Sequence, residues 1–288
     1  MTAWMVKFMD WSKAKTILII AFIITNLFIS IVILNNIPKG EPTLSRDFIS
    51  NVEQLLEEKN IHIEASIPEE IPYLNSMIVE FERANSHFLN KAYFNNKGRI
   101  QQGQGLSEIV KGLESILIIN DRLIIYENKN SSNKYPTLNM DKAIEIAQEF
   151  LETGEFDTSD MKLTYAKEEK EVFYLEYSKV YEDTFVERAY TNFQIDKRGV
   201  KKFERLWLNV KELGDTKIYI STAPKSLLNL LGMKDIYNKT ITDISLCYYF
   251  EPEKHEYIEE PGEAKQGKAV PAWRVQFEDG YKVFIDEY

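Results

Sequence analysis

Chemistry needs convergent donors, and this chain offers few at recognisable spacing. Its three histidines are His62, His87 and His255, and none has a partner at H-x-x-x-H distance. His62 falls in an alternating strand-like stretch and His255 in a charged loop, so no metal set is expected, and no cofactor. The run Gln101-Gln102-Gly103-Gln104-Gly105 contains a G-x-G. It lacks the third glycine and the strand–helix setting of a phosphate cradle, and it reads as a loop. No G-x-S-x-G elbow occurs. Acidic pairs such as Glu168-Glu169, Glu259-Glu260 and Asp286-Glu287 recur, but a chain with 45 Asp and Glu produces such pairs by chance. Most must be solvated surface. A glycosidase-type pair brought together from distant strands is the catalytic arrangement that spacing leaves open. Cys247 alternates with apolar neighbours between Ile244 and Phe250 and reads as a small buried residue rather than a nucleophile. The expectation is a protein that is not an enzyme.

The elements that must position these residues begin with Thr16–Pro38, 23 residues without a charged side chain, of which fifteen are Ile, Leu, Val or Phe. About 20 helical residues cross a hydrocarbon core of about 30 Å. The run is therefore expected to be a single transmembrane helix, 16–38, after a cytoplasmic lead, 1–15. Lys7, Lys13 and Lys15 precede it against Asp10 alone. Positive side chains stay inside, which places the N-terminus in the cytoplasm and the rest outside the cell membrane. A cleaved signal peptide would have a shorter apolar region and a small-x-small ending, which Leu34-Asn35-Asn36-Ile37-Pro38 does not supply.

Within the span, Ala21 and Thr25, and Asn26 and Ser30, lie four residues apart. Small residues let helices approach closely, and Asn can hydrogen-bond to a neighbouring span. These four residues are the candidate interaction face. Their other reading is as polar residues tolerated in a strongly apolar helix.

Beyond residue 39 the chain holds 31 basic against 44 acidic residues. Such a surface repels phosphate backbones, so nucleic acid is excluded as a partner. With one cysteine and no internal disulfide, an external domain must rely on its core.

The fold class expected is α+β: the N-terminal span, then extracytoplasmic antiparallel sheet units, each covered by a helix. Lys39 to Thr43 reads as a linker. A helix at about 44–59 carries Leu44, Phe48, Val52, Leu55 and Leu56 at 3.6-residue spacing. Short strands follow around 61–63, 77–81, 92–94, 99–101, 116–119 and 123–126. The polar run 128–137 is expected to separate a first domain, 41–130, from a second, 137–288. The second comprises two helix-plus-meander units. Asn139 caps a helix at about 140–152 with a stripe of Ala143, Ile144, Ala147, Phe150 and Leu151. Strands are expected at about 161–167, 171–181, 185–195 and 200–211. A third helix starts at Thr222-Ala223-Pro224 with Thr222 as cap, and strands at about 241–250, 270–277 and 281–286 follow. Asp196–Gly199 and Asp279-Gly280 are the clearest hairpin turns. The aromatics that crowd these strands, Phe193, Phe203, Trp207 and Trp273 among them, read first as a β core and second as an exposed partner face.

The opening Met9-Asp10-Trp11-Ser12-Lys13-Ala14-Lys15-Thr16, followed by the apolar run, resembles the start of the YycI (WalI) family. These are accessory proteins of the YycG/YycF (WalK/WalR) two-component system. Val270–Val275 with Asp279-Gly280, and Ile241–Ile244 before an aromatic strand, are similar to the end of that family. The eight residues before Met9 depart from its usual start, and the helix at 143–151 with its strands also resembles a PepSY-type unit. The resemblance implies an extracytoplasmic α+β region without catalysis. As partners it implies a YycG/WalK-like sensor histidine kinase, a YycH-like sister protein and the lipid bilayer. The expected function is a membrane-anchored regulator that restrains the kinase mainly through its span. The alternative is a membrane-tethered cell-wall binding module or envelope hydrolase.

Overall fold

The apolar run is helical in the computed structural model, which describes residues 11–36, 41–252 and 264–286. Helix α1, Trp11–Asn36, contains neither proline nor glycine and is continuous. Its side chains are described over 14–30. Among the described residues, no helix is long and apolar enough to cross a membrane. The end of the expected span, Ile37-Pro38, and most of the expected lead lie outside the described residues.

The rest of the chain is mixed α+β, dominated by a large sheet with few helices. Ser45 starts α2, Arg46–Glu57, by accepting a hydrogen bond from the Phe48 amide at 3.3 Å. Val52 and Leu56 turn inward, whereas Leu55 is exposed. Strands β1, His62–Ile63, and β2, Tyr73–Phe81, follow. The strand expected at 92–94 is instead the end of a helix, α3, Ser86–Phe94. The Asn85 side chain caps its start, and Asn95, at φ 52°, turns the chain out of it. Four strands form a meander: β3, Arg99–Gly103; β4, Leu106–Lys111; β5, Glu114–Ile119; and β6, Leu123–Asn128. The G-x-G run is thus partly strand. Only its end, with Gly105 at φ +67°, is the turn.

Asn139 caps α4, Met140–Thr153, through the Lys142 amide at 2.9 Å. The buried stripe is Ala143, Ile146, Ala147 and Leu151, with Ile144 and Phe150 at its margin. Next come β7, Met161–Glu169; β8, Val172–Tyr181; β9, Thr184–Asp196; and β10, Gly199–Leu206. The strand expected at 200–211 divides at Trp207, which is buried. Beyond it, β11, Leu208–Tyr219, leaves the partners of β10 and pairs with β2. Helix α5, Ala223–Leu227, is short and continues as 3-10 turns at Leu228–Gly232 and Lys234–Ile236. Thr222 does not cap it with its side chain. Its hydroxyl meets the Thr43 hydroxyl at 2.6 Å instead. The last strands are β12, Thr240–Tyr249; β13, Gln266–Phe277; and β14, Lys282–Ile285.

Among the described residues the strands form one 14-stranded sheet, in the order β11-β2-β13-β12-β9-β10-β6-β5-β4-β3. Strand β8 joins β7 to β9, β14 lies beside β13, and β1 beside β12. The boundary expected at 128–137 does not divide this sheet. Strand β6 pairs with β10, and β2 with both β11 and β13. The polar run connects elements that hydrogen-bond across it. Helices α3 and α4 cover one core, which includes Phe94, Ile116, Phe173 and Phe203. Helices α2 and α5 cover a second, with Leu56, Leu230, Trp273 and Phe277. Met77, Val79, Trp207 and Phe250 belong to a third cluster, built from strands of both regions.

Candidate functional site

Helix α1 exposes apolar side chains all round. Ten large ones between Ile17 and Ile29 are 48–71% exposed. A helix that is hydrophobic on every side is stable in lipid or inside other protein, not in water. The four expected interaction residues do not share one face. At about 100° per residue, Ala21 and Thr25 lie within about 40° of each other, as do Asn26 and Ser30. The two pairs are about 140° apart. The Thr25 hydroxyl donates to the Ala21 carbonyl at 2.8 Å, and the Asn26 amide to the Phe22 carbonyl at 2.9 Å. Both bonds lie within the helix and lower the cost of burying these polar groups in an apolar medium. Neither uses the Asn26 amide oxygen. The helix therefore presents two narrow polar edges.

The second concentration of polar groups lies inside the sheet. Arg274 on β13 and Glu187 on β9 have side chains 1% and 3% exposed and meet at 2.9 Å. Arg274 also donates to Asp243 at 2.7 Å and to Gln276, and stacks over the Phe185 ring at 4.2 Å. Lys282 on β14 completes the group through Glu176 and the Ser178 hydroxyl. This cluster ties β8 and β9 to β12, β13 and β14. A second cluster surrounds Arg205, whose side chain is fully buried. Its guanidinium forms two parallel bonds to Glu82, at 2.7 and 3.0 Å, and a third to Thr191 at 2.9 Å. It lies between the rings of Trp207 and Phe156. Lys179, paired with Asp160, sits beside the same Trp207 ring. Burial pushes its ammonium down to about 8, against the pull of Asp157.

These arrangements are ion pairs with matched partners rather than an acid and a base facing an open site. Arg198 is likewise committed, to both Asp196 oxygens and to the carbonyls of Asn128 and Asn130. It lines a groove of about 340 Å³ together with Glu114, Tyr126, Glu149 and Phe150. Burial lifts the Cys247 thiol well above its ordinary range, so it is not poised as a thiolate. His62 lies 2.8 Å from Glu57 on the surface. His87 is in the exposed first turn of α3, and His255 is outside the described residues. Among the described residues, no group of three or more His, Cys, Asp or Glu could hold a metal ion.

No protein-family model and no curated protein matches the chain. Solved structures similar to it include the following three. One is an uncharacterized protein from Eubacterium rectale ATCC 33656, at 13% identity and a TM-score of 0.48, covering 82% of this chain and 94% of that one. Another is YycH from Bacillus subtilis, at 12% and 0.49, covering 74% and 53%. A third is the C-terminal domain of Bacillus megaterium YpeB, at 11% and 0.35, covering 84% and 93%. At these identities and TM-scores, the likenesses assign neither a family nor an activity.

The buried charges were not among the expected site residues. For Arg205 a signal existed: Phe203, Arg205 and Trp207 share the parity that faces inward, so an arginine on that side needs an internal partner. For Arg274 there was none, because every residue of β13 from Ala269 to Phe277 is buried, on both faces. The crowded aromatics mostly belong to the core: Phe173, Phe193, Phe203, Trp207 and Trp273 are all buried.

Proposed function

We propose that this chain is a membrane-anchored regulator. It binds and restrains a sensor histidine kinase of a cell-envelope two-component system, mainly through α1. The observation that carries the reading is the unrelieved apolar surface of α1. Over the described residues α1 falls short of a span, but the uncharged run 16–38, if helical throughout, would reach about 35 Å at about 1.5 Å per residue, against a hydrocarbon core of about 30 Å. The YycI-like opening and closing segments supply the partner class: a YycG/WalK-like kinase, with a YycH-like sister protein beside it. In this reading the N-terminus is cytoplasmic and the α+β region is extracellular, with no reaction of its own to perform.

Regulation requires that the chain bind two kinase conformations with different affinity. A differential of about 1–3 kcal/mol gives a 5–150-fold effect. The two polar edges of α1, Ala21/Thr25 and Asn26/Ser30, suit contact with two neighbouring spans rather than one. The test is crosslinking in native membranes from single sites along α1, with the captured proteins identified. It is paired with an Asn26→Leu/Ser30→Leu variant read by kinase co-purification and reporter output. Capture of a kinase span and weaker co-purification are expected. Unchanged co-purification together with unchanged output would sink the proposal.

A further inference from the structure

The sheet carries a compact exposed apolar patch where the chain enters it. Tyr73 opens β2 and Tyr219 closes β11, and the two are paired across the ladder. Their rings lie 5.4 Å apart. Tyr73 is 43% exposed, Tyr219 59% and neighbouring Ile71 57%. Lys217 extends its ammonium to 4.2 Å from the Tyr73 ring centre. An exposed aromatic pair at a sheet edge, with an exposed Ile two residues away in the chain, is a candidate contact surface.

Its position says what covers it. The Ile220 amide bonds to the Pro72 carbonyl at 3.4 Å, which holds both strand ends together. Two residues after Ile220, the Thr222 hydroxyl meets that of Thr43 at 2.6 Å. The patch therefore lies within about 18 Å of the point where the chain arrives from α1, three extended residues plus the two hydroxyl side chains. Residues 37–41 separate α1 from the turn Pro42–Leu44. Even fully extended, they keep the two within about 22 Å.

We infer that Ile71, Tyr73 and Tyr219 rest on the outer lipid surface beside α1, with the Tyr rings at the level of the glycerol backbone and the Lys217 ammonium among the headgroups. This rests on the reading of α1 as a membrane span. Tyr is enriched at this level because its ring is apolar and its hydroxyl remains hydrated. Glu69 and Glu70 are exposed next to Ile71. The rim is thus not basic, and the attraction comes from apolar contact rather than from anionic headgroups. Seating the patch would fix the tilt of the sheet relative to the bilayer.

The test uses the full chain in phosphatidylcholine vesicles, with a fluorophore attached through Tyr219→Cys. The native Cys247 is buried and does not compete for the label. Leu106→Cys on β4, exposed and toward the opposite end of the strand order, is the control. Ile24→Cys, read with lipids that carry the nitroxide deep in the acyl chain, reports α1. Nitroxide lipids labelled near the glycerol should quench the 219 probe several-fold more than the 106 probe, and aqueous iodide should quench it less. Equal iodide and lipid quenching at 219 and 106 overturns the inference. So does shielding from iodide without lipid quenching, which would mean that a protein or a second copy covers the patch. Quenching at 24 without quenching at 219 removes this inference and leaves the anchor. Quenching at 219 without quenching at 24 removes the span and with it the placement of the patch beside α1.

Discussion

Replacing Arg274 with methionine tests whether the interior charges hold the two halves of the sheet together. The arginine side chain is 1% exposed and satisfies Glu187, Asp243 and Gln276 at once. Methionine keeps much of the volume against Phe185 but leaves Glu187, 3% exposed, with Lys282 as its remaining cation at 3.5 Å. Breaking a buried pair from one side costs about 3–5 kcal/mol, because the other charge stays desolvated. Lys282 offsets part of that, so a loss near the lower end, about 3 kcal/mol, is expected. Urea unfolding followed by tryptophan fluorescence reads it directly, since Trp207 and Trp273 are both buried. The second arm is Arg274→Met with Glu187→Leu. Removing both charges should recover most of the loss, because a well-packed apolar pair is often as stable as the ion pair it replaces. If Arg274→Met costs less than about 1 kcal/mol, or the two losses simply add, the cluster is not coupled as the geometry requires.

Three further outcomes are expected. Lys179 has its folded-state pKa pushed down to about 8 by burial, from the ordinary 10.5. Below pH 8 both states are protonated and the folded state carries the full cost of the buried charge. Between about 8 and 9, below the range where the tyrosines of the unfolded chain ionise, the unfolded state binds more protons at this lysine, so its contribution makes stability rise with pH. Lys179→Met should abolish that slope in unfolding midpoints measured across the window. Asn139→Ala removes the cap on α4 and should cost about 1 kcal/mol by denaturation, with little change in helix content. Leu56→Ala opens a cavity under α2 at a fully buried position and should cost about 2–5 kcal/mol in the same assay.

Several elements were legible because their signals are local. Asn139 places a side-chain acceptor at a helix start and caps as expected, whereas the Ser45 cap of α2 went unremarked although its residue type signals one. Asp279-Gly280 turns the last hairpin with Gly280 at φ +83°. Other turns carried no such mark. Lys170-Glu171 and Glu182-Asp183 adopt positive φ without glycine, held there by the pairing of β7, β8 and β9. The residues of α3 misled because Ala92-Tyr93-Phe94 is a good strand triplet. Its helical state follows from the Asn85 cap and from Leu89 and Phe94 packing into the core under α3 and α4. Thr222 had the right type for a cap, but its hydroxyl is taken by Thr43, far away in sequence.

What the sequence settled by itself was composition along one dimension. It set the apolar run that becomes α1, the amphipathic stripes of α2 and α4, and the alternation that makes the strands. What required the tertiary structure was partnership. Any alternating strand can hydrogen-bond to any other, so the backbone alone does not choose neighbours. The choice of β2 beside β11 and β13, and of β6 beside β10, comes from the collective burial of side chains that are distant in the chain. The same pairing brought Arg205 to Glu82 and Arg274 to Glu187, whose charges are tolerable inside only because each meets the other there.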